Sequence, residues 1–285
     1  MGTSPSPTLR RRRLAREMNR LREAAGMTIE QAAGAAGIST SHLSRIERAH
    51  VGVRVPVVKA LLATYGADAE TTGYLIEVAK EASQRGWWHP YAGTIPEGYA
   101  TYIGFEADAE QIWNFDANTL PGLLQTEEYA RAMFQRGPLG LPDEEIARRV
   151  EVRMQRQAIL TRPNPPKVWI VLDEAVIRRP VGGRGTFADQ LMRVVELAAL
   201  PHVDIQVMPF AVGAHPGTPG SFVVLRFADV ADPAVVYIET LAGDLFPESQ
   251  DDVSRAILTF DRLRALALGP DESVALIREA AKEIT

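Results

Sequence analysis

The chain contains no cysteine. That excludes a disulfide framework, a thiolate-held iron–sulfur cluster and a thiolate zinc site. No apolar run approaches the length that crosses a bilayer, so no membrane association is expected. The N-terminal MGTSPSPTLRRRR has no apolar stretch behind its charges and does not read as a secretory signal, which makes a cytoplasmic protein the expectation. The five histidines (His42, His50, His89, His202, His215) have no metal-ligand spacing. There is no Ser/His/Asp set with a recognisable nucleophile turn, no internal repeat and no low-complexity tract. No cofactor, no metal and no enzymatic activity are expected.

A length of 285 residues, 46% of them hydrophobic, suits two globular domains of ordinary size. The formal charge of −5 hides an asymmetry. Residues 1–65 hold eleven Lys/Arg and four Asp/Glu, a net of +7, which leaves −12 on the rest. A basic head on an acidic body fits nucleic-acid binding by the head alone.

Residues 28–48, TIEQAAGAAGISTSHLSRIER, read as two short helices joined by a tight turn. Thr28 caps the first, and Gln31 completes a capping box. Ala32, Ala33 and Ala36 are small enough for a second helix to cross closely. Gly37 sits where the first helix must stop, and Ser39 caps the second. Leu43 and Ile46, three apart, face inward with Ile38. Thr40, Ser41, Ser44, Arg45 and Arg48 are left outside. Short hydroxyls and arginines on one stripe suit a helix that enters the DNA major groove.

These residues resemble the phage-repressor-like, or XRE, branch of the helix-turn-helix family. The signature runs Thr28, Ala32-Ala33, Gly37, Ile38-Ser39, Ser41, Leu43-Ser44, Ile46-Glu47. It departs from the family at Arg48-Ala49-His50, where a glycine-containing turn is usual. The resemblance implies a transcriptional regulator that binds a pseudopalindromic operator in double-stranded DNA as a homodimer. It further implies an ion pair between Arg22, late in the first helix, and Glu47, which closes the recognition helix. The DNA-binding set is Thr28, Gln31, Ser39, Thr40, Ser41, Ser44, Arg45, Arg48, Lys59 and the run Arg10, Arg11, Arg12 and Arg13. That run lies in the first turn of a helix, where positive charge opposes the helix dipole, so phosphate attraction is the better account of it.

In chain order, residues 1–7 are expected as a disordered tail. Residues 8–85 form an all-α five-helix domain, with helices at 8–25, 28–36, 39–48, 57–65 and from Asp68 to about Arg85. Tyr74, Leu75, Val78 and Ala79 are the apolar positions of the last. Residues 86–101, GWWHPYAGTIPEGYAT, are a linker rich in Gly, Pro and aromatics, with Trp87 and Trp88 docking it on one domain. Residues 102–285 form a mixed α+β domain. Strands are expected at 102–105, 111–116, 167–172, 203–208, 221–227 and 234–239, and helices at 127–136, 142–160, 187–199, 249–268 and 271–284. The fold class is therefore multidomain, all-α followed by α+β.

The second domain also resembles something. PGLLQTEEYARA (121–132), RMQRQAIL (153–160), VLDEAVIRRP (171–180), VDIQVMPF (203–210), AHPGTPGSFVVLRF (214–227) and FDRLRALALGPDES (260–273) are similar to the uncharacterised domain that follows this helix-turn-helix in many actinomycete regulators. The resemblance implies a small protein partner encoded nearby. It opens the alternative that this is an antitoxin-like protein which neutralises that partner and uses DNA binding for autoregulation.

Within that domain Gln125, Glu128, Tyr129, Arg153 and Gln157 are polar positions on two consecutive helices. They line an effector cleft or partner surface, or else form a solvated face. His215 lies in AHPGTPG, a loop that closes over a pocket or is a plain long hairpin. VGGRGTF (181–187) lacks the Lys-Ser/Thr of a P-loop and the GxGxxG spacing, and reads as a flexible loop. Asp173-Glu174 point to opposite faces of a strand end and read as a helix cap.

Overall fold

Serine before proline is a strong helix start. Ser6 accepts the Leu9 N–H (3.4 Å) and Pro7 occupies the first turn, where its missing N–H costs nothing. The computed structural model describes residues 6–137 and 140–284. Of the expected tail, residues 1–5 lie outside the described residues, Ser6 caps helix α1 and Pro7 begins it. The chain divides between Pro90 and Tyr91 into two compact units.

The first unit holds α1 (Pro7–Ala24), α2 (Ile29–Ala35), α3 (Thr40–Glu47), α4 (Val55–Tyr65) and α5 (Ala69–Ala82). Leu14 and Met18 of α1, Leu43 of α3, Leu61 and Leu62 of α4 and Leu75 of α5 meet in one core. Burying a side chain of that size contributes roughly 1.5–3 kcal/mol. Ala32 and Ala33 are buried where α2 and α3 cross. Gly26, Gly37 and Gly66 adopt left-handed conformations after α1, α2 and α4, as helix stops require. Two expectations fail here. Tyr74 is not a core residue; it is exposed, and its hydroxyl accepts from Arg13 (3.1 Å). And α5 ends at Ala82 rather than near Arg85, with the Ser83 hydroxyl donating to the Lys80 carbonyl. Trp87 and Trp88 meet edge to face, their centroids 5.9 Å apart.

The second unit begins with a 3-10 turn (His89–Tyr91 straddles the division) and α6 (Glu97–Asp108). The strand expected at 102–105 is wrong. Tyr102, Ile103, Gly104 and Phe105 form the buried middle of α6. A four-residue apolar run carries no period that separates a strand from a helix buried on several sides. The helix also reaches back into the stretch expected as linker. Then follow β1 (Gln111–Asp116), α7 (Glu127–Arg136), α8 (Asp143–Arg156), β2 (Lys167–Asp173), α9 (Glu174–Arg178), α10 (Arg184–Leu197) and β3 (Val203–Met208). The chain ends with β4 (Phe222–Arg226), β5 (Val235–Thr240), β6 (Gly243–Leu245), α11 (Gln250–Leu266) and α12 (Pro270–Ile284).

The strands form one sheet in the order β3-β2-β1-β4-β5-β6. β1, β2 and β3 are parallel, with Asn114 beside Ile170 and Ile170 beside Ile205; β4 joins β1 antiparallel and the rest continues antiparallel. One face packs Trp113, Phe115 and Val171 against Phe260 and Leu263 of α11. The free side of β3 is closed by the chain after α11, where the Ser273 hydroxyl accepts the Val207 N–H (2.9 Å) and Leu268 donates to the Val207 carbonyl (2.9 Å).

The turn after α3 explains the departure at residues 48–50. His50 donates to the Arg45 carbonyl and Ala49 to that of Ile46, both at 2.9 Å, and Ala49 takes φ 57°. The family's usual glycine position is thus kept in shape but filled by alanine, which strains it by about 1 kcal/mol. Ala49→Gly is expected to stabilise the first unit by a net of about 0.5 kcal/mol, after the entropy a glycine adds to the unfolded chain. A small rise in Tm checks it, and a fall would show that the alanine methyl is needed for packing.

Candidate nucleic-acid interface

Local chemistry builds the two-helix element. The Thr28 hydroxyl accepts the Gln31 N–H (3.2 Å) while the Gln31 side-chain oxygen accepts the Thr28 N–H (2.9 Å). Ser39 accepts the His42 N–H (3.1 Å). Thr28, Gln31 and Ser39 are therefore occupied as caps, and Gln31 keeps only its NH2 group to direct outward. All three are exposed.

In α3 the two faces separate cleanly. Leu43 and Ile46 are buried, Thr40, Ser41 and Arg45 are exposed and Ser44 is partly so, with Arg48 exposed at the helix end. Ser41, Arg45 and Arg48 follow one stripe at intervals of four and three residues, so their tips converge on one ligand surface. Lys59 on α4 and Arg54, the residue that precedes its first turn, are exposed as well. Arg54 was missed in the sequence, where it stands inside a β-branched loop.

The angle of α3 is held from behind. The Arg22 Nε and Nη2 donate to the two Glu47 carboxylate oxygens at 2.8 and 3.0 Å, and Nη1 donates to the Met27 carbonyl at 2.9 Å. Asn19 donates to the same carboxylate (3.1 Å), a partner the sequence did not announce. The Glu47 side chain is only 4% exposed. Its hydrogen bonds hold the Arg22 pKa above the ordinary arginine value, so the guanidinium stays charged. The ion pair expected from the resemblance is present and bidentate.

The arginine run of α1 does not form one phosphate-facing group. Arg10 is buried and ion-paired with Glu81 of α5, which withdraws it from the DNA-binding set. Arg13 bonds Tyr74, and Arg11 and Arg12 are partly buried. The first turn of α1 packs beside α5, so this charge serves the fold before it serves any ligand.

In the second unit, four of the five residues assigned to an effector face come together, but as braces inside the fold. Gln125 is buried; its amide donates to the Leu120 carbonyl (2.7 Å) and its oxygen accepts from Arg153 (2.8 Å). Gln157 donates to the carbonyls of Gly122 (2.9 Å) and Gln125 (2.6 Å). The buried Tyr129 hydroxyl accepts the Leu120 N–H (3.2 Å). Gln190, missed in the sequence, accepts the Thr126 N–H (2.6 Å) and donates to the Leu124 carbonyl (2.8 Å). Together they fix the loop that leaves β1. Gln125 and Tyr129 are buried, Arg153 and Gln157 are partly so, and Glu128 is exposed.

His215 stands apart from that group. Its Nδ1 accepts the Gly217 N–H (3.2 Å), its Nε2 lies 3.4 Å from Asp173, and its ring meets Phe115 edge-on. The loop that carries it is not a hairpin, because β3 and β4 are separated in the sheet by β2 and β1. Asp173 caps α9, accepting the Ala175 N–H (2.8 Å).

Two charged centres were missed. Arg156 donates to both Glu106 oxygens (2.6 and 2.8 Å), with Tyr102 on the same carboxylate (2.7 Å) and Tyr99 on the guanidinium. Asp116, the last residue of β1, accepts from Ser221 and Asn114, and burial pushes its carboxyl up to about 7. Among the described residues no group of three His, Asp or Glu side chains is placed to hold a metal ion, and no helix is long and apolar enough to cross a membrane.

Comparison with known families agrees with this division. Residues 13–75 match a helix-turn-helix domain family, and residues 99–279 match the domain of unknown function DUF5753. The chain belongs to the DUF5753 family and carries a helix-turn-helix DNA-binding domain ahead of that region. No curated protein and no solved structure matches it.

Two predictions follow from these charges. Arg22→Ala strands the Glu47 carboxylate in a dry site and is expected to cost about 3 kcal/mol by urea denaturation; Glu47→Ala should cost a similar amount. The double variant should lose clearly less than the sum, and strict additivity would refute the coupling. Asp116 holds its proton in the folded state above its ordinary carboxylate range. Its contribution to stability therefore falls as pH rises from about 4 to about 7 and is flat beyond. Asp116→Asn should remove that slope, so the Tm difference from wild type widens across this window.

Proposed function

We propose that the protein is a sequence-specific transcriptional regulator of the phage-repressor-like type. It is cytoplasmic and non-enzymatic, and binds a pseudopalindromic operator as a homodimer. Two copies of α3 would then enter successive major-groove faces about 34–36 Å apart. The observation that carries this reading is the outer stripe of α3. Thr40, Ser41 and Arg45 are exposed with Arg48 beyond them, while the opposite face is buried and Glu47 is pinned by Arg22. An exposed stripe on a helix held that firmly gains nothing from the core and suits readout of base edges.

Arg45 reads a base edge, with guanine favoured by its bidentate geometry. Ser41, Ser44 and Thr40 add base or phosphate contacts, and Arg48, Lys59 and Arg54 hold phosphates. The second unit receives the controlling signal. A small protein encoded nearby, the partner implied by the family resemblance, would be received there, and a stoichiometric co-purifying protein would support the antitoxin-like variant of this reading.

The test is fluorescence anisotropy against DNA upstream of the gene and a scrambled control, at two salt concentrations. Arg45→Ala should lose roughly 1–3 kcal/mol of discrimination at one base position. Lys59→Ala should weaken all sequences alike and lower the salt slope by about 1. Equal weak binding to both DNAs by the wild type would refute sequence-specific regulation.

A further inference from the structure

We propose that the groove between α7 and the second half of α8 is a docking site for an arginine side chain carried by a partner protein. The groove holds about 540 Å³. Its floor is apolar. Val150 is buried, and with Met154 it belongs to the small core that joins the two helices through Ala130, Ile146 and Phe134. Glu127 comes from the first turn of α7. Ala147, Glu151 and Gln155 stand at intervals of four residues and form one exposed stripe of α8. Tyr91 completes the lining, and its hydroxyl donates to the Gln155 side-chain oxygen (3.3 Å).

Charge selects the occupant. Glu127 pairs with Arg131 (2.8 Å), Glu144 with Arg148 (2.7 Å) and Glu145 with Arg149 (2.7 Å), each four residues on. Glu151 breaks that pattern. Four residues on from it stands Gln155 and four before it Ala147, both neutral. Among the described residues no Lys or Arg forms an ion pair with Glu151. The Tyr91 hydroxyl bonds its carboxylate but brings no positive charge. A groove with an apolar floor and an unpaired carboxylate suits a cation on an apolar stem. The methylenes of an arginine would lie along Val150 and Met154, with the guanidinium at Glu151. Its planar fork also suits the Gln155 oxygen and the Tyr91 ring, which a lysine ammonium matches less well. An acidic partner would set like charges together. The groove is open to solvent, so a free cation there stays wet, whereas a protein that carries the arginine covers the open side and dries the pair. The net charge of −12 outside residues 1–65 draws a basic partner towards this unit.

This names the surface by which the second unit would take a protein partner, so its regulatory meaning rests on the function proposed above. The test needs no DNA, so the two readings fail separately. A failed titration removes the docking site and leaves operator binding untouched, and unselective DNA binding leaves the titration untouched. The experiment is an amide-resolved NMR titration of the full chain with a capped pentapeptide, alanine-leucine-arginine-leucine-alanine. Controls carry norleucine or glutamate in place of the arginine, and a further arm uses N-acetyl-arginine amide. Expected are saturable shifts at Ala147, Glu151 and Gln155 with the arginine peptide and none with the glutamate form. The norleucine form and N-acetyl-arginine amide should each bind about tenfold more weakly. Glu151→Gln should weaken the arginine peptide about tenfold. Ala147→Arg, which sets an arginine one turn before Glu151, should abolish binding by occupying the groove. Both positions are exposed, and circular dichroism checks the fold. Glu127→Gln should weaken binding less, because Arg131 already pairs with that carboxylate. No saturable shift with the arginine peptide, shifts centred elsewhere, equal binding of the norleucine form, or unchanged binding by both groove variants would overturn the proposal. N-acetyl-arginine amide binding as tightly as the peptide would make the groove a small-molecule site and overturn docking of a protein.

Discussion

Glu47 closes α3 and Arg22 lies late in α1, and their charges meet where water barely reaches. α3 has eight residues, too few to hold a direction or even a helical state by itself. Its outer stripe is useful only at a fixed angle, and the bidentate guanidinium–carboxylate fork permits very few angles. The same Arg22 also takes the Met27 carbonyl, at the turn that leads into α2. One charged pair thereby ties α1, the turn and α3 together. Its net contribution to stability is small once desolvation is counted, and its larger effect is geometric. The apolar core beneath sets how firmly the unit folds; the pair sets which way the stripe faces.

The second unit uses polar side chains for the same purpose. Glu106 and Arg156 lock α6 to α8, with Tyr99 and Tyr102 completing their hydrogen bonds. Gln125, Gln157, Tyr129 and Gln190 satisfy backbone groups of the loop after β1, groups that a buried loop would otherwise leave unpaired. The loop before β4 is held in turn by His215 against Asp173 and by Gly217 lying on Phe115, where any Cβ would collide with the ring.

Much of what is encoded within a few residues was legible in the sequence, although the Ser6 cap was read as part of a tail. Thr28, Ser39, Asp68 and Ser249 each accept an N–H three residues on, as capping requires, and Gly37 and Gly66 stop helices through their left-handed conformations. Strands with a clear boundary, such as residues 111–116 and 203–208, stand where alternation and turn residues placed them. What failed depends on partners far along the chain. YIGF is helical because α6 is buried by the sheet and its neighbours, which no local period records. Arg10 is structural because Glu81 lies seventy-one residues away. Gln125 and Arg153 were read as surface because polarity was taken for exposure, while their partners are carbonyls and one another. The Arg22–Glu47 pair also spans separate helices, twenty-five residues apart, and it was found only through the family resemblance.

That difference matters for the charge argument. Counting residues 1–65 gives a strongly basic head, but several of those charges are spent inside it. Arg10 meets Glu81, Arg22 meets Glu47, Arg20 meets Glu17 and Arg13 bonds Tyr74. The exposed remainder, Arg45, Arg48, Arg54 and Lys59, is concentrated at the end of α3 and the start of α4. The positive field is therefore narrower than composition implies and coincides with the stripe that would read bases. On the function proposed above, so narrow a field would draw a duplex onto one face and hold it with few phosphate contacts, and base-edge contacts would supply a larger share of the affinity. Rigid placement of α3 is then what such specificity would require, which leads back to the pair formed by Arg22 and Glu47.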